Sequence, residues 1–415
     1  MVLLIIVLYV LCDFYTYFGL ASLVPKRYLK GFSWAYILSS IGVYYCFYQT
    51  CLVLFSGHFF SNSSSNIYLG IFLTFLLGKV VFSTLLLVQD TLRGLYGSGL
   101  AVRDMVVKKE KSSKSSSFPE RRKVVTLLTT GIAAIPFLGM LYGITKGKYR
   151  YVLNKVKLTF EDLPQNFEGF KIVQISDIHA GSLDNMAAVK RGIQLVNDQE
   201  ADLILFTGDM VNSSKDEVDP YLEVFAQLEA KFGKYSVLGN HDYYGVPQES
   251  TEAEREDYWR SFEEKFEQMG FQLLNNQSAA VEKDAERIQI VGVENWGAGR
   301  FFPKKGDLDK ALTEVDDQDF CILLSHDPSH WDEKVLEHAR HIHLTLSGHT
   351  HGFQFGINMP GFKWSPAQYR YPRWMGLYQE KGQYLYVNRG FGFLAFPGRV
   401  GMWPEITVFE LSATA

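Results

Sequence analysis

The sequence predicts an α/β domain preceded by about four transmembrane α-helices. Leu, Val, Ile, Phe and Tyr dominate residues 1–145, whereas the part after Lys146 has the charged and apolar mixture of a soluble globular domain. Beyond Phe170, short apolar runs repeatedly end in polar clusters, which is typical of strands buried on both faces in a layered α/β fold. At 415 residues the chain is long enough for both parts.

Four apolar segments in the N-terminal part approach the length of about 20 residues that crosses a membrane. They cover residues 2–24, 33–55, 68–88 and 124–144. We therefore predict three transmembrane helices within residues 1–100, a basic, Ser-rich cytoplasmic linker at residues 101–123 and a fourth transmembrane helix at residues 124–145. Asp13 in the first segment is either an intramembrane functional residue or a contact between packed helices.

The distribution of Lys and Arg among the loops predicts the orientation of this multi-pass protein. The first loop contains Lys26, Arg27 and Lys30, the third contains many basic residues, and the second contains none. Because cytoplasmic loops are enriched in Lys and Arg, we expect the C-terminal domain on the extracytoplasmic side of the cell (inner) membrane. The segment ERRKVVTLLTTG resembles a twin-arginine export signal, and a plain basic flank before a span is the alternative.

Composition excludes one class of partner. The formal net charge of -4 is unlike that of domains that bind polyanions, which show a basic stripe or a high isoelectric point. We therefore predict no nucleic-acid partner, and no pattern in the sequence predicts a protein partner.

The polar clusters beyond Phe170 contain residue types that bind metal ions. In α/β sheets the ligand site lies at the carboxyl ends of the strands, so clusters at several strand ends can converge. Residues i and i+2 of an extended segment point to the same side, which brings the members of a D-x-H or H-x-H motif together. Two aspartates, an asparagine and four histidines are too many for one ion, and they suit Mn, Zn or Fe. We predict two divalent metal ions, bound by Asp177, His179, Asp209, Asn240, His326, His349 and His351.

In this order the motifs DIH, GD, GNHD, SHD and GHTH resemble those of the calcineurin-like metallophosphoesterase family, in the type with N-terminal membrane helices. The resemblance implies a four-layer α/β/β/α sandwich at residues 170–412, after a connecting segment at residues 146–169. It also implies a role for each candidate residue: Asp177, His179 and His351 at the first metal, Asn240, His326 and His349 at the second, Asp209 bridging both, and His241 as the non-ligand catalytic residue that faces the phosphate.

These motifs predict a membrane-anchored phosphoesterase in which a hydroxide shared by two cations attacks phosphorus. We expect the substrate to be a phosphorylated small molecule or lipid, such as a phospholipid or cell-envelope phosphate. Arg370 and Arg373 lie in an aromatic and basic segment after the last motif, and we expect them to bind the substrate phosphate. The alternative is a membrane sensor or scaffold whose phosphoesterase-like domain binds phosphate without turnover.

Two positions depart from the family pattern. Asn212 stands where many members have an aspartate, so proton donation by the histidine is expected to be weaker or to depend on Asp242. Phe353 stands where members of this type often have glycine, and its ring can narrow the mouth of the pocket.

Overall fold

The computed structural model describes residues 2–56, 63–106, 119–246, 249–300 and 302–413. The chain divides into two compact units. The first comprises Met1–Gly57 and Ser64–Tyr142, and the second comprises His58–Ser63 and Gly143–Ala415.

The first unit is helical. Its helices are α1 (Val2–Ala21), α2 (Leu29–Ser56), α3 (Ser63–Val106) and α4 (Pro119–Thr145), the last of which ends just inside the second unit. Among the described residues, three helical segments are long and apolar enough to cross a membrane, Lys26–Leu54, Asn66–Gly99 and Lys123–Thr145, and α1 contributes the shorter apolar stretch Ile6–Ala21. Residues 101–106 of the predicted linker are helical because α3 continues through them, and residues 107–118 lie outside the described part.

An ion pair between Asp13 of α1 and Lys79 of α3 lies among three helices of this unit. The Lys79 ammonium also donates to the hydroxyl of Tyr9 at 2.9 Å. The Asp13 carboxylate accepts from Tyr36 of α2 at 2.8 Å and from Ser40 of α2 at 2.9 Å. Charges within a membrane need such partners, since the surrounding hydrocarbon offers none. Of the two roles expected for Asp13, these contacts support helix packing.

The second unit contains two six-stranded sheets and a two-stranded hairpin among its described residues. The strands are β1 (Val152–Phe160), β2 (Lys171–Ile175), β3 (Leu203–Phe206), β4 (Lys234–Ser236), β5 (Gln272–Leu273), β6 (Gln277–Lys283), β7 (Glu286–Gly292), β8 (Phe320–Leu324), β9 (Leu344–Ser347), β10 (Ile357–Met359), β11 (Phe362–Trp364), β12 (Gly376–Glu380), β13 (Gln383–Val387) and β14 (Glu405–Ala413). The first sheet has the order β1-β14-β2-β3-β4-β5, in which β2 to β5 are parallel. The second has the order β12-β13-β9-β8-β7-β6, in which β13, β9, β8 and β7 are parallel.

Alternate residues of the central strands face two different layers. In β3, Leu203 and Leu205 pack in a core that also contains residues of the second sheet, whereas Ile204 and Phe206 pack with helices on the outer face. Strands buried on both faces must be apolar throughout, which explains the continuous apolar runs. The helices of this unit are α5 (Met186–Asn197), α6 (Leu222–Phe225), α7 (Glu252–Gln268) and α8 (Leu308–Ala311).

The second sheet repeats this arrangement on its own outer face. Ile322 and Leu324 of β8 face the core between the sheets. Cys321 and Leu323 of the same strand pack instead with Leu308 of α8 in a separate apolar layer. The order of layers is therefore helix, sheet, sheet, helix, and the predicted α/β/β/α sandwich is confirmed.

Candidate metal centre

All seven predicted metal ligands follow the carboxyl end of a strand. Strands β2, β3 and β4 belong to the first sheet and β8 and β9 to the second, so both sheets contribute side chains to one site. Asp177 and His179 follow β2, Asp209 follows β3, Asn240 follows β4, His326 follows β8, and His349 and His351 follow β9.

Asp177, His179 and His351 form one group, whose donor atoms lie within 4.8 Å of one another. Nε2 of His351 is 3.1 Å from Oδ1 of Asp177 and 3.1 Å from Nε2 of His179. All three side chains are buried. This is the set that the family resemblance assigns to the first metal.

Asp209, His326 and His349 form a second group of the same size. Nε2 of His326 lies 3.1 Å from Oδ2 of Asp209, and Oδ1 of Asn240 lies 2.8 Å from Nδ1 of His349. The same Oδ2 of Asp209 is 3.6 Å from Nε2 of His179 in the first group. Asp209 therefore lies between the two groups, in the position expected of a bridging carboxylate.

The backbone is left-handed at five of these seven residues. Non-glycine residues rarely adopt this conformation, which costs on the order of 1–3 kcal/mol each and persists where the surrounding structure enforces it. The prediction of extended D-x-H and H-x-H segments was therefore wrong. Tight left-handed turns bring the side chains together instead, with φ of 49° at Asp177, 50° at His179, 59° at Asp209, 71° at His349 and 50° at His351.

Two motif glycines leave room for the carboxylates. A Cβ at Gly348 would lie 2.2 Å from Oδ2 of Asp177, and a Cβ at Gly239 would lie 2.2 Å from Oδ1 of Asp209. Real side chains never approach so closely. The glycines of GHTH and GNHD are therefore required because the backbone passes against the carboxylates.

Hydrogen bonds orient two of the imidazoles. Nδ1 of His326 donates to the carbonyl of Thr207 at 2.6 Å, so Nε2 is the nitrogen that faces the site. The hydroxyl of Tyr371, 3.0 Å from Nε2 of His349, can accept its proton and so present Nδ1 beside Asn240. Nε2 of His326 and Nε2 of His179 both face Oδ2 of Asp209, at 3.1 Å and 3.6 Å. Buried nitrogens and carboxylate oxygens that converge in this way fit a site built for cations.

His351 is the exception to this pattern. The guanidinium of Arg399, which is fully buried, donates to Nδ1 of His351 at 3.0 Å. A neutral imidazole that accepts at Nδ1 carries its proton on Nε2. Cation binding through Nε2 therefore requires this proton to leave or Arg399 to shift.

The electrostatics of the site favour cations. Burial lowers the pKa of His179, His349 and His351, so these rings are neutral at pH 7. Burial alone would raise the pKa of Asp177, but its electrostatic interaction and hydrogen bond with His351 hold it below its usual range. Burial alone would lower the pKa of His326, but the negative charge of Asp209 outweighs it and raises this pKa to about 10. A cation that binds His326 must therefore displace a proton.

Two hydrogen bonds hold His241 in place. Its Nδ1 donates to the carbonyl of Asn212 at 2.8 Å, and its backbone N–H donates to Oδ1 of Asp209 at 2.8 Å. A backbone carbonyl thus orients the ring, so the position does not depend on an aspartate side chain at 212. The described hydrogen bonds of Asp242 run to backbone N–H groups, those of Gly239, Asp209, Met210 and Val211. Asp242 therefore ties the two ligand loops together.

Sequence reasoning missed three supporting residues. Glu217 accepts from the backbone N–H groups of Asn212 at 2.6 Å and Ser213 at 3.2 Å, and so fixes the loop that holds His241. Tyr371 and Arg399 contact His349 and His351 as described above. No fixed spacing links these three residues to the motifs, so the sequence carried no signal for them.

A cavity of about 510 Å³ adjoins the second group of ligands. Phe302 and Tyr371 line it, and their rings lie 4.9 Å and 5.3 Å from the ring of His349. The two predicted substrate arginines also line it but differ in their partners. Arg373 is held by Asp332 at 3.3 Å and Glu380 at 2.6 Å, whereas Arg370 is exposed and has no ion pair within the described part of the chain.

The remaining departure, Phe353, lies beside this cavity. Its side chain is 45% exposed, and its ring is 6.2 Å from that of Tyr371. The ring therefore stands next to a wall of the cavity.

A four-layer α/β/β/α sandwich, with histidine and aspartate side chains that converge at the carboxyl ends of strands from both sheets, is typical of metallophosphoesterases. Residues 1–148 match the family described as probable calcineurin-like phosphoesterase, transmembrane domain, and residues 170–353 match calcineurin-like phosphoesterase. The chain belongs to the calcineurin-like phosphoesterase family. With its apolar helices and the transmembrane-domain match, it is a membrane protein.

Several relatives are similar to this chain. A zebrafish transmembrane protein with metallophosphoesterase domain is 29% identical over 72% of this chain, which covers 64% of that protein, less than two thirds of its length. The uncharacterized metallophosphoesterase YkuE of Bacillus subtilis is 32% identical over 61% of this chain and 82% of its own length. The UDP-2,3-diacylglucosamine pyrophosphatase LpxG of Chlamydia trachomatis is 29% identical over 56% of this chain and 81% of its own length.

Proposed function

We propose that this protein is a membrane-anchored, dinuclear metal-dependent phosphoesterase that hydrolyses a phosphate ester carried by a lipid or cell-envelope compound. The observation that carries the proposal is the convergence of six histidine and aspartate side chains from two sheets, with Asn240 beside them and five of the seven residues on left-handed backbone. Non-catalytic phosphate binding would need neither this buried cation site nor a separately held histidine beside it.

In the proposed assignment, Asp177, His179 and His351 hold one divalent cation, Asn240, His326 and His349 hold the other, and Asp209 bridges them. Two cations bound there would supply an activated water as nucleophile and would offset the charge that develops on the phosphoryl oxygens.

The chain's own groups would provide binding and proton transfer. His241, whose ring is 5.0 Å from that of His179, would donate a proton to the leaving oxygen or hydrogen-bond to the phosphoryl group. The carbonyl of Asn212 keeps the proton of Nδ1 in place, so exchange with the substrate occurs at Nε2. Arg370, on the wall of the cavity, would bind a phosphate oxygen, while Arg373 keeps that wall in position through its two carboxylates.

Two considerations support a lipid-borne substrate. The chain is membrane-anchored, which keeps its site close to membrane compounds, and the chlamydial relative is named for a pyrophosphatase of a diacylated glucosamine nucleotide. The distribution of Lys and Arg further supports an extracytoplasmic position for the second unit. Mn, Zn and Fe all suit the mixed nitrogen and oxygen donors.

The test uses the full-length protein in detergent, stripped with a chelator and reloaded separately with Mn, Zn or Fe. We expect metal-dependent hydrolysis of a nitrophenyl phosphate ester, loss of that activity in Asp209→Asn, and hydrolysis of one or more members of a panel of phosphorylated lipids. Asp162→Asn is the matched control, because this carboxylate pairs with His343 at 2.6 Å and not with a candidate ligand. Bound phosphate without turnover in every metal form, with Asp209→Asn indistinguishable from wild type, would favour the sensor or scaffold alternative.

A further inference from the structure

An amphipathic hairpin follows the last metal-binding motif. Strands β10 and β11 pair in antiparallel register, with Met359 opposite Phe362 and Ile357 opposite Trp364. Side chains directly opposite in such a pair share a face, and residues two apart along a strand lie on the same side. These four apolar side chains therefore form one face of the hairpin.

The apolar surface around this hairpin is exposed. Seven large apolar side chains of the second unit are exposed among its described residues, and five of them lie between residues 353 and 369; Tyr244 and Leu377 are the other two. Soluble surfaces carry such side chains singly, and a contiguous patch marks a contact with another apolar surface. The five have exposed fractions of 45% at Phe353, 41% at Ile357, 55% at Met359, 52% at Phe362 and 78% at Tyr369.

One end of this patch lies near the metal centre. Phe353 comes two residues after His351, and its ring lies 6.2 Å from that of Tyr371. The Tyr371 hydroxyl in turn contacts Nε2 of His349 at 3.0 Å. A surface that covers Phe353 therefore lies close to Tyr371, which lines the cavity beside the second group of ligands.

The chemistry of the hairpin favours a lipid bilayer as the covering surface. The indole of Trp364 donates to the hydroxyl of Tyr369 at 3.4 Å, and both residue types are favoured at the membrane–water interface. Asn358 and Lys363 lie on the opposite face, where a Lys can reach anionic headgroups. The chain is itself anchored in a bilayer, so this partner is always within its reach.

We propose that the hairpin of residues 357–364 inserts Met359 and Phe362 at its tip into the interfacial layer of the bilayer and so holds the metal centre against lipid headgroups. The proposal rests on the proposed function, because it assigns that site a substrate whose phosphate is presented at the membrane surface. A two-stranded hairpin is marginally stable alone in water, and burial in lipid would stabilise its apolar face.

The first measurement locates the tip. Full-length Met359→Cys, labelled with an environment-sensitive fluorophore, is reconstituted in phosphatidylethanolamine and phosphatidylglycerol vesicles. We expect quenching by lipids that carry a spin label on the acyl chain and protection from aqueous iodide. Leu377→Cys, at a similarly exposed apolar position off the hairpin, is expected to show the reverse, and unsubstituted protein corrects for labelling of native cysteines. Iodide access at position 359 would overturn the proposal, as would shielding from iodide without lipid quenching, which indicates a protein cover.

The second measurement uses Met359→Ser combined with Phe362→Ser. We expect hydrolysis of a vesicle-embedded phosphorylated lipid to fall about tenfold or more, while turnover of a soluble nitrophenyl ester stays within about twofold of wild type. Leu377→Ser is expected to leave both rates unchanged. Equal lipid hydrolysis in the double variant and wild type would contradict the proposal. Turnover of no lipid by wild type, with the tip still quenched by lipid, would refute the lipid substrate but leave membrane insertion standing.

Discussion

The Nε2 atoms of His179 and His351 face each other at 3.1 Å inside a buried centre. Burial lowers the pKa of both rings, so neither is protonated at pH 7. Since Arg399 donates to Nδ1 of His351, this neutral ring carries its proton on Nε2, where Nε2 of His179 or Oδ1 of Asp177, at 3.1 Å, can accept it. A cation held by these three residues would take the place of that proton.

Removing one of these rings is therefore expected to remove one metal. His179→Ala should lower the bound divalent metal from about two ions to about one ion per chain, because only the first group loses a ligand. Elemental analysis of the metal-loaded, dialysed protein measures this ratio. His338→Ala is the matched control, since His338 pairs with Asp309 at 3.0 Å and should keep both ions. Two ions retained in His179→Ala would show that the ligand assignment is wrong.

His241→Gln separates catalysis from metal binding. We expect kcat to fall by about 10²–10⁴ because proton transfer to the leaving oxygen is lost, while the metal content remains at the wild-type value. Steady-state kinetics and elemental analysis of the same preparation check both parts. A variant that loses metal together with activity would instead make His241 a ligand.

Glu217 is expected to act on the reaction through the loop that positions His241. Its two carboxylate oxygens accept from the N–H groups of Asn212 and Ser213, and Gln offers only one acceptor oxygen. Glu217→Gln should therefore lower kcat about tenfold with KM little changed. The pH profile of kcat should shift as well, because the carbonyl of Asn212 no longer holds Nδ1 of His241 in one position. Asn212→Ala retains that carbonyl and is expected to stay within about threefold of wild type. If Asn212→Ala lowers kcat as much as Glu217→Gln, the side chain and not the carbonyl orients His241.

The sequence located the candidate ligands because each lies after a strand buried on both faces. Continuous apolar runs such as those of β3 and β8 are visible in the residue types, and so are the polar residues that end them. The four layers followed from the family resemblance. The side-chain periodicity of these strands alone does not say which other strands they pair with.

Other features of the site cannot be predicted from the types of residue in the sequence. The role of the Asn212 carbonyl is a property of the backbone, which every residue shares. Tyr371 and Arg399 reach His349 and His351 from loops that follow the last motif by distances fixed only in the folded chain. The left-handed turns at Asp177 and His349 also arise from the surrounding structure, and a short D-x-H or H-x-H motif does not specify them.

His330 gives the second unit a dependence on pH that is separate from the metal ligands. It is 1% exposed, its Nδ1 lies 2.9 Å from Oγ of Ser325, and burial lowers its pKa to about 4. The unfolded chain binds a proton below about pH 6.5, whereas the folded chain resists protonation down to about pH 4, so stability falls as the pH decreases through this window. Protonation of this one group changes the free energy of unfolding by at most about 1.4 kcal/mol per pH unit.

Replacing His330 should remove its contribution to the pH dependence of the free energy of unfolding. We expect His330→Gln to flatten the pH dependence of the free energy of unfolding between pH 6.5 and 4, relative to wild type. Denaturant titrations of the metal-loaded full-length protein, followed by tryptophan fluorescence, measure the difference at each pH. His338→Gln serves as the control because its partner Asp309 is 93% exposed. Parallel curves for wild type and His330→Gln would contradict the assignment.

The ion pair between Asp13 and Lys79 makes a prediction for the membrane unit. Lys79→Met leaves the Asp13 carboxylate without a cation among three helices, and removing one partner of a buried pair costs about 3–5 kcal/mol. Asp13→Asn combined with Lys79→Met should recover most of that loss, since no charge is then left unpaired. A double-mutant cycle of unfolding in mixed micelles measures the coupling. Arg93→Met is the control, because its partner Asp90 lies on the same helix and both side chains are over a third exposed, so less than about 1 kcal/mol should be lost. A double variant that is as stable as wild type but hydrolyses no substrate would show that the pair serves turnover and not helix packing.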